Sequence, residues 1–503
     1  MRTKVFELGA RLAPLRGLPA PPFDAFDANW EQELYEDYLV GALEFLAFEN
    51  SHEYSPDRYG EMLLRLPECV RLIRSTWSAA DIERLVKRQP FAFRFGACEL
   101  GRLGLWRDGF RLLEATRGLV SSQSLSDDTI DADELDSRAA EVSWVHVTNS
   151  PRGTYVFVCR DGVYFGREFP EASGPSLAAE FTNLVQGGLL VDQARNRSLA
   201  TASAKGLCAL LEPVADWIAQ TCGDTVVLHP GGYYQSFPLS SVGQLLESQL
   251  GGERRVSTTP SRTIALKSSR STADRLQTVS VCHASSVAGF ADLAWSVQEP
   301  AAIDGLLSPN LVVNLRAATR QSLTEAFEST DLVHFTGHSS AAVDPGDSAL
   351  VTYGEPLAVR DILAIPVSSA LVVLGSCQSA LAMNMRAQDE MLSLQSATYY
   401  AGAELVVGTS WPIRDTAGFL FSIKFYEALA ASRGTRSELL ANCVMDARVS
   451  AMRWMRGALV GDVNSVLHRY GAPLMTGSPN TETAFDFYDW GAFGVVGVPL
   501  ADG

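Results

Sequence analysis

The chain has 503 residues, 47% hydrophobic and 20% charged, a globular balance with length for about two or three domains and sizeable cores. Its formal net charge of −17 argues against a nucleic-acid backbone as a direct partner. The eight cysteines form no Cys-x-x-Cys pair, no run reaches the roughly 18 apolar residues of a membrane span, and Glu7, Arg11 and Arg16 break the apolar stretch at the start. These features predict no disulfide or metal framework, no membrane contact, and a reducing, cytoplasmic setting.

Apolar residues at helical spacing from Trp30 to Phe48 (Leu34, Tyr38, Leu39, Leu43, Phe45, Leu46) predict a first helix. A second is expected over Pro56 to Ser75, and Ser78-Ala79-Ala80-Asp81 has the pattern of a capping box opening a third. From Phe95 to Glu114, small residues face large ones across a turn near Gly104, which predicts a helical hairpin. This hairpin resembles one tetratricopeptide repeat, with Gly104, Trp106 and Phe110 in fitting positions. Gly109 and Thr116 stand where that family usually has alanine. A single repeat cannot bury its apolar face alone, so the resemblance implies a small helical cap over residues 1–125. The segment 121–140, serine-rich and then aspartate-rich, reads as solvated, with the linker proper at 126–140.

From 141 to 503 the pattern changes. Val142 to Val158 alternates around Pro151-Arg152-Gly153, a hairpin signal, and Asp161-Gly162 marks a second turn before Val163-Tyr164-Phe165. Helices are expected over Ser176–Val191 and Ser198–Gln220, then a buried strand, Thr225-Val226-Val227-Leu228-His229-Pro230. Thr278 to Val281 reads as a strand and Ala294 to Leu307 as a helix. Two apolar runs follow, each stopping at a small-residue turn with a reactive side chain: Asp331 to His338 and Leu371 to Ser379. A helix over Asp389–Gly402, a strand over Glu404–Ser410 and an amphipathic helix over Thr416–Ala431 complete the alternation. Such alternation predicts an α/β fold, a three-layer α/β/α sandwich on a mostly parallel sheet.

In open parallel sheets, sites form beyond the carboxyl ends of strands. Two neighbouring strands ending at His338 and Cys377 would bring an imidazole and a thiol together, as cysteine-based amide hydrolysis requires. Cys377 is the candidate nucleophile and His338 the proton donor to the leaving amine. The backbone N–H groups of Gly337 and Cys377 are candidates to hold the oxyanion, since glycine lets backbone approach substrate closely. His334, four residues earlier, reads as packed in the sheet. A rival reading takes Gly337-His338-Ser339-Ser340-Ala341 as a serine-hydrolase elbow with Ser339 as nucleophile. The helix that elbow needs is broken by Asp344-Pro345-Gly346-Asp347.

An ordered set of segments resembles the CHAT family, caspase-like domains associated with tetratricopeptide repeats, and more distantly separase and caspases. The set runs through Trp144-Val145-His146-Val147, Leu228-His229-Pro230 with Phe237-Pro238-Leu239, Thr259-Pro260-Ser261, Val333 to His338, Leu374 to Ser379 and Ala401-Gly402-Ala403. It continues through Val407 to Asp415 and Lys424-Phe425-Tyr426, and closes with Asp489-Trp490-Gly491-Ala492-Phe493. Gln378-Ser379 departs from the Glu-Thr common in the family, and residues 456–482 look like an insertion. The resemblance implies a caspase-like cysteine endopeptidase over 141–503, needing no cofactor. It also implies activation by a protein partner through the helical region, in a setting such as bacterial defence or programmed cell death. By likeness to separase around Trp411 to Asp415, Asp415 would floor a pocket for a basic side chain. The bland reading of Asp415 is a cap on the helix after it, and Asp344 and Asp347 are competing pocket candidates. An inactive scaffold of the same fold, binding protein partners, is the alternative function.

Overall fold

The computed structural model describes residues 64–65, 92–117, 142–180, 193–236, 239, 254–267, 276–342, 344–381, 391–432 and 439–498. The helices expected over 30–48 and 56–75, the capping box at 78–81 and the linker at 126–140 lie outside the described residues, apart from Leu64 and Arg65, which are helical.

The frame is an eleven-stranded sheet in the order β3-β2-β1-β4-β5-β14-β13-β12-β8-β6-β7. Its strands are β1 (Ser143–Asn149), β2 (Thr154–Arg160), β3 (Val163–Phe169), β4 (Thr225–Pro230), β5 (Arg255–Thr258), β6 (Thr278–Ala284), β7 (Val312–Ala317), β8 (Leu332–Gly337), β12 (Leu371–Gly375), β13 (Leu405–Thr409) and β14 (Phe493–Val496). Three two-residue strands, β9 (Ser339–Ser340), β10 (Ala349–Leu350) and β11 (Leu357–Ala358), form a separate small sheet just beyond β8. All neighbouring pairs of the large sheet are parallel except β1–β2, β2–β3 and β13–β14. The antiparallel β13–β14 junction divides the sheet into two blocks running in opposite senses. The carboxyl ends of β8 and β12 therefore emerge at one edge, and those of β1 and β4 at the other.

Continuous Val/Leu runs form strands that are covered on both faces, as parallel sheets require. Of the principal helices, α1 (Ala92–Arg102), α2 (Trp106–Thr116), α3 (Gln193–Thr221), α4 (Glu299–Leu307) and α5 (Arg320–Ser329) precede the carboxyl ends of β8 and β12. After them come α6 (Leu394–Tyr400), α7 (Asp415–Ser432), α8 (Leu440–Gly457) and α9 (Val460–Arg469). One face of the sheet presents Val145, Val226, Val281, Leu332 and Val373 to α3, α4, α7 and α8. The other presents Val333, Phe335, Val372 and Val406 to α5 and α6. This alternation is the period-2 consequence of the pleat.

The expected hairpin at 151–153 is present, with Trp144 opposite Cys159 and Asn149 opposite Thr154. The segment 456–482, anticipated as an insertion, contains α9 followed by exposed chain, and α8 before it was not anticipated. The strand β7 and helix α5 were also missed; β7 is a largely exposed edge strand, so it carries no buried apolar run. Helices α1 and α2 pack directly on the first block. Trp106 meets Phe157 edge to face at 5.6 Å, and a Cβ on Gly109 would meet the Phe157 ring at 2.5 Å. The close approach explains glycine where the repeat family has alanine.

Candidate active site

The strand ladder sets the site. Thr336 pairs with Gly375 as the last rung between β8 and β12, and His338 and Cys377 lie two residues beyond it on their respective chains. The Ser339 hydroxyl donates to the Cys377 carbonyl, joining the two ends directly. Ser339, the rival nucleophile, is thus engaged in holding the two loops together.

Cys377 sits on a tight turn. Gln378 just after it has φ 58°, a left-handed conformation uncommon outside glycine. The surroundings hold this turn: Thr409 Oγ1 donates to the Ser376 carbonyl (2.7 Å), Ser379 Oγ accepts from Thr409 N (3.0 Å), and Ala380 N donates to the Thr409 carbonyl (2.8 Å). Among the described cysteines six are buried, while Cys377 keeps partial exposure. Its sulfur lies 3.4 Å from the Ile413 N–H, which donates to it, and 3.6 Å from the Ile413 carbonyl. Burial pushes the thiol up from its ordinary value, and the Asp415 charge adds to this; the Ile413 N–H opposes it.

His338 is oriented from the other side. Its Nε2 lies 2.7 Å from the Ala291 carbonyl, so that nitrogen carries the proton, and its ring stacks on Phe290 at 5.0 Å. In the neutral ring Nδ1 is then the basic nitrogen. Both contacts come from the strap between β6 and α4, residues 285–298. Gly337 precedes His338 where the chain is crowded: a Cβ there would meet the Phe335 ring at 2.9 Å and the Ala284 carbonyl at 3.2 Å.

Asp415 opens α7 but does not cap it. Its Oδ2 accepts from Trp295 N (2.8 Å), and its Oδ1 accepts from Ser296 N (3.1 Å) and from the Ser296 hydroxyl. It caps the strap instead. Burial raises its pKa, against the pull of those donors. The competing candidates are engaged elsewhere: Asp344 accepts from Gly346 N, and Asp347 pairs with Arg360. The segment ahead of Asp415 is pinned by Trp411 Nε1 donating to the Tyr488 carbonyl (2.6 Å) and by a fork from Arg414 to the fully buried Asp489. Sequence reading missed Ala291, Phe290 and Asp489 as neighbours. A backbone carbonyl and a loop phenylalanine leave no pattern, although Asp489 did fall within a segment carrying the family resemblance.

A second polar cluster lies at the opposite edge. Glu114 of α2, His146 of β1 and His229 of β4 bring their ligand-type atoms within 4.8 Å of one another. Glu114 Oε1 is 2.9 Å from His146 Nε2 and 3.8 Å from His229 Nε2, and both its oxygens accept from Arg262 N at 3.0 Å. His229 Nδ1 donates to the Thr259 carbonyl (3.0 Å). Burial holds both imidazoles neutral, His229 down to about 3, with Arg117 charge acting in the same direction on each. The Arg117 and Arg262 guanidiniums oppose a further cation, and the cluster reads as a latch fixing α2 to the sheet.

The fold and the paired strand ends define a caspase-like cysteine-peptidase architecture. Among solved structures the chain is similar to the Saccharomyces cerevisiae separase–securin complex at 3.0 Å, with TM-score 0.51 and 8% identity, covering 95% of this chain but 40% of that one. The Porphyromonas gingivalis RgpB pro- and mature domains align with TM-score 0.37 and 11% identity, over 64% of this chain and 75% of that one. No curated protein matches the chain in sequence. The CHAT-domain family model matches residues 207–498, more than half of the chain, which therefore belongs to that family. The sheet itself reaches back to Ser143 through the β1–β4 ladder, ahead of the matched span.

Proposed function

We propose that the protein is a cysteine endopeptidase with His338 and Cys377 as its dyad. The observation that carries this reading is the placement of both residues two positions past one shared rung of the sheet, with Nε2 of His338 committed to the Ala291 carbonyl. In the reaction, Nδ1 of His338 takes the thiol proton as the Cys377 sulfur attacks the scissile carbonyl. The Gly337 and Cys377 N–H groups stabilise the oxyanion. Collapse expels the amine, which receives that proton from His338, and water then releases the acyl group from sulfur. The raised thiol pKa favours a resting enzyme with a protonated nucleophile, matching a protein held inactive until a partner engages its helical region.

Asp415 gives this reading a substrate class. Three donors occupy its carboxylate, leaving room on Oδ2 for an Arg or Lys side chain, a charge-assisted bond. Cleavage after basic residues is the expected specificity. The same burial of Cys377 also suits an inactive scaffold. The two are separated by incubating the protein with a peptide library varied at the residue before the cut. Hydrolysis after Arg or Lys, absent in Cys377→Ala, is expected; an Asp or apolar preference rejects the Asp415 role, and no hydrolysis with or without protein partners favours the scaffold.

A further inference from the structure

Below the dyad lies a fully buried polar group that the chemistry above does not use: Glu299, His334, Thr336 and Tyr426. Glu299, the first residue of α4, is 1% exposed. Its Oε2 accepts from Thr336 Oγ1 at 2.6 Å, and its Oε1 lies 3.1 Å from His334 Nε2. The other nitrogen of that ring, Nδ1, is 3.0 Å from the Tyr426 hydroxyl of α7. Taking a carboxylate out of water is costly unless donors surround it, so four buried polar side chains gathered here need a reason.

The reason lies in how strands alternate. His334 and Thr336 occupy one face of β8, and His338 follows at the next two-residue step. Each of the three meets the same stretch of chain. His334 and Thr336 meet Glu299, and His338 meets Ala291 and Phe290, eight and nine residues upstream of Glu299. That strap leaves β6 at Ala284, and its far end is fixed at Trp295 and Ser296 by Asp415 and at Glu299 by β8. The placement of the Ala291 carbonyl on His338 therefore depends on where Glu299 is held.

We infer that Glu299 is a positioning residue of the proposed peptidase: through its hydrogen bond from Thr336 and its close contact with His334 it registers the 285–298 strap on β8, which fixes the His338 imidazole with Nε2 protonated and Nδ1 basic. The inference rests on the dyad reading for its consequence in catalysis, but its structural part stands on its own. His334, which the sequence suggested was only packed in the sheet, is one arm of this device. Asp415 is the second anchor of the same strap, which explains why its carboxylate faces backbone N–H groups.

The experiment uses the full chain with 15N-labelled histidine, His338 being assigned by its loss in His338→Ala. The ring 15N shifts report which nitrogen carries the proton. In wild type the Nε2-protonated form is expected. Glu299→Gln keeps the side chain's shape but puts an amide beside the Thr336 hydroxyl and the His334 ring in place of a carboxylate; mixed tautomers at His338 are expected, with kcat reduced at least tenfold and KM little changed. If that variant does not fold, Thr336→Val, which keeps the side chain's shape and removes one bond, is expected to move the His338 shifts in the same direction to a smaller extent. Unchanged His338 shifts in the folded variants overturn the inference, whatever the activity. An inactive wild type whose shifts respond as described overturns the peptidase reading and leaves the positioning intact.

Discussion

At the scale of single residues, the site is governed by a half-buried carboxylate, Asp415, a fully buried one, Asp489, and one thiol. Asp415 and Cys377 are close enough for charge to matter: a negative Asp415 disfavours the thiolate, so its presence raises the Cys377 pKa. Asp415→Asn removes that charge, lowers the thiol pKa, and is expected to speed iodoacetamide alkylation of Cys377 about threefold to tenfold near pH 8. Mass spectrometry of the Cys377 peptide measures it, and an unchanged or slower rate would show that the two groups do not interact. Asp489 is the complementary case. It is fully buried and its partner Arg414 is 30% exposed, so truncating it leaves a partly desolvated guanidinium. Asp489→Ala is expected to cost about 3 kcal/mol, read as a lower denaturation midpoint at constant slope. A loss within experimental error would place the fork among dispensable surface pairs.

At the scale of elements, α2 is held by a group that senses acid. His146 and His229 are neutral while α2 is docked, and return to an ordinary value near 6.5 once released. The released state binds more protons below that value, so docking is full above it and weakens as pH falls toward about 3. Hydrogen exchange across Trp106–Thr116, corrected for the intrinsic rate, is expected to lose protection between about pH 7 and 5; equal protection at both would rule out the latch. The latch was invisible in the sequence because Glu114, His146 and His229 are separated by long intervals, and no spacing announces a partnership made by tertiary packing. Strands β4, β8, β12 and β13 were legible because parallel strands covered on both faces keep continuous apolar runs. Edge strand β7 is largely exposed, and its short apolar run is broken at Asn314. The same contrast holds in the site: His338 and Cys377 stand out at strand ends, whereas Ala291 acts through its backbone and Glu299 resembles any glutamate opening a helix.

At the scale of the whole molecule, two oppositely directed blocks share one sheet, one ending at His338 and Cys377, the proposed dyad, and the other in the latch. The helices at 92–117 are built into the block that carries the latch, since α2 delivers a carboxylate between two sheet histidines and Trp106 covers Phe157. Removing residues 1–125 is therefore expected to expose that face and lower the melting temperature, so point variants at the latch are the cleaner probe of regulation. Among the described residues no helix is long and apolar enough to cross a membrane.

In the proposed peptidase, His338 activates Cys377 toward peptide carbonyls. The most direct test of this is covalent labelling by an arginyl peptide carrying an acyloxymethyl ketone, followed at Cys377 by mass spectrometry in wild type and in His338→Ala. Labelling at Cys377 is expected in wild type, at least tenfold slower without His338, while iodoacetamide still reaches the thiol in both. Equal labelling in the two proteins, or none in wild type despite an accessible thiol, would contradict it.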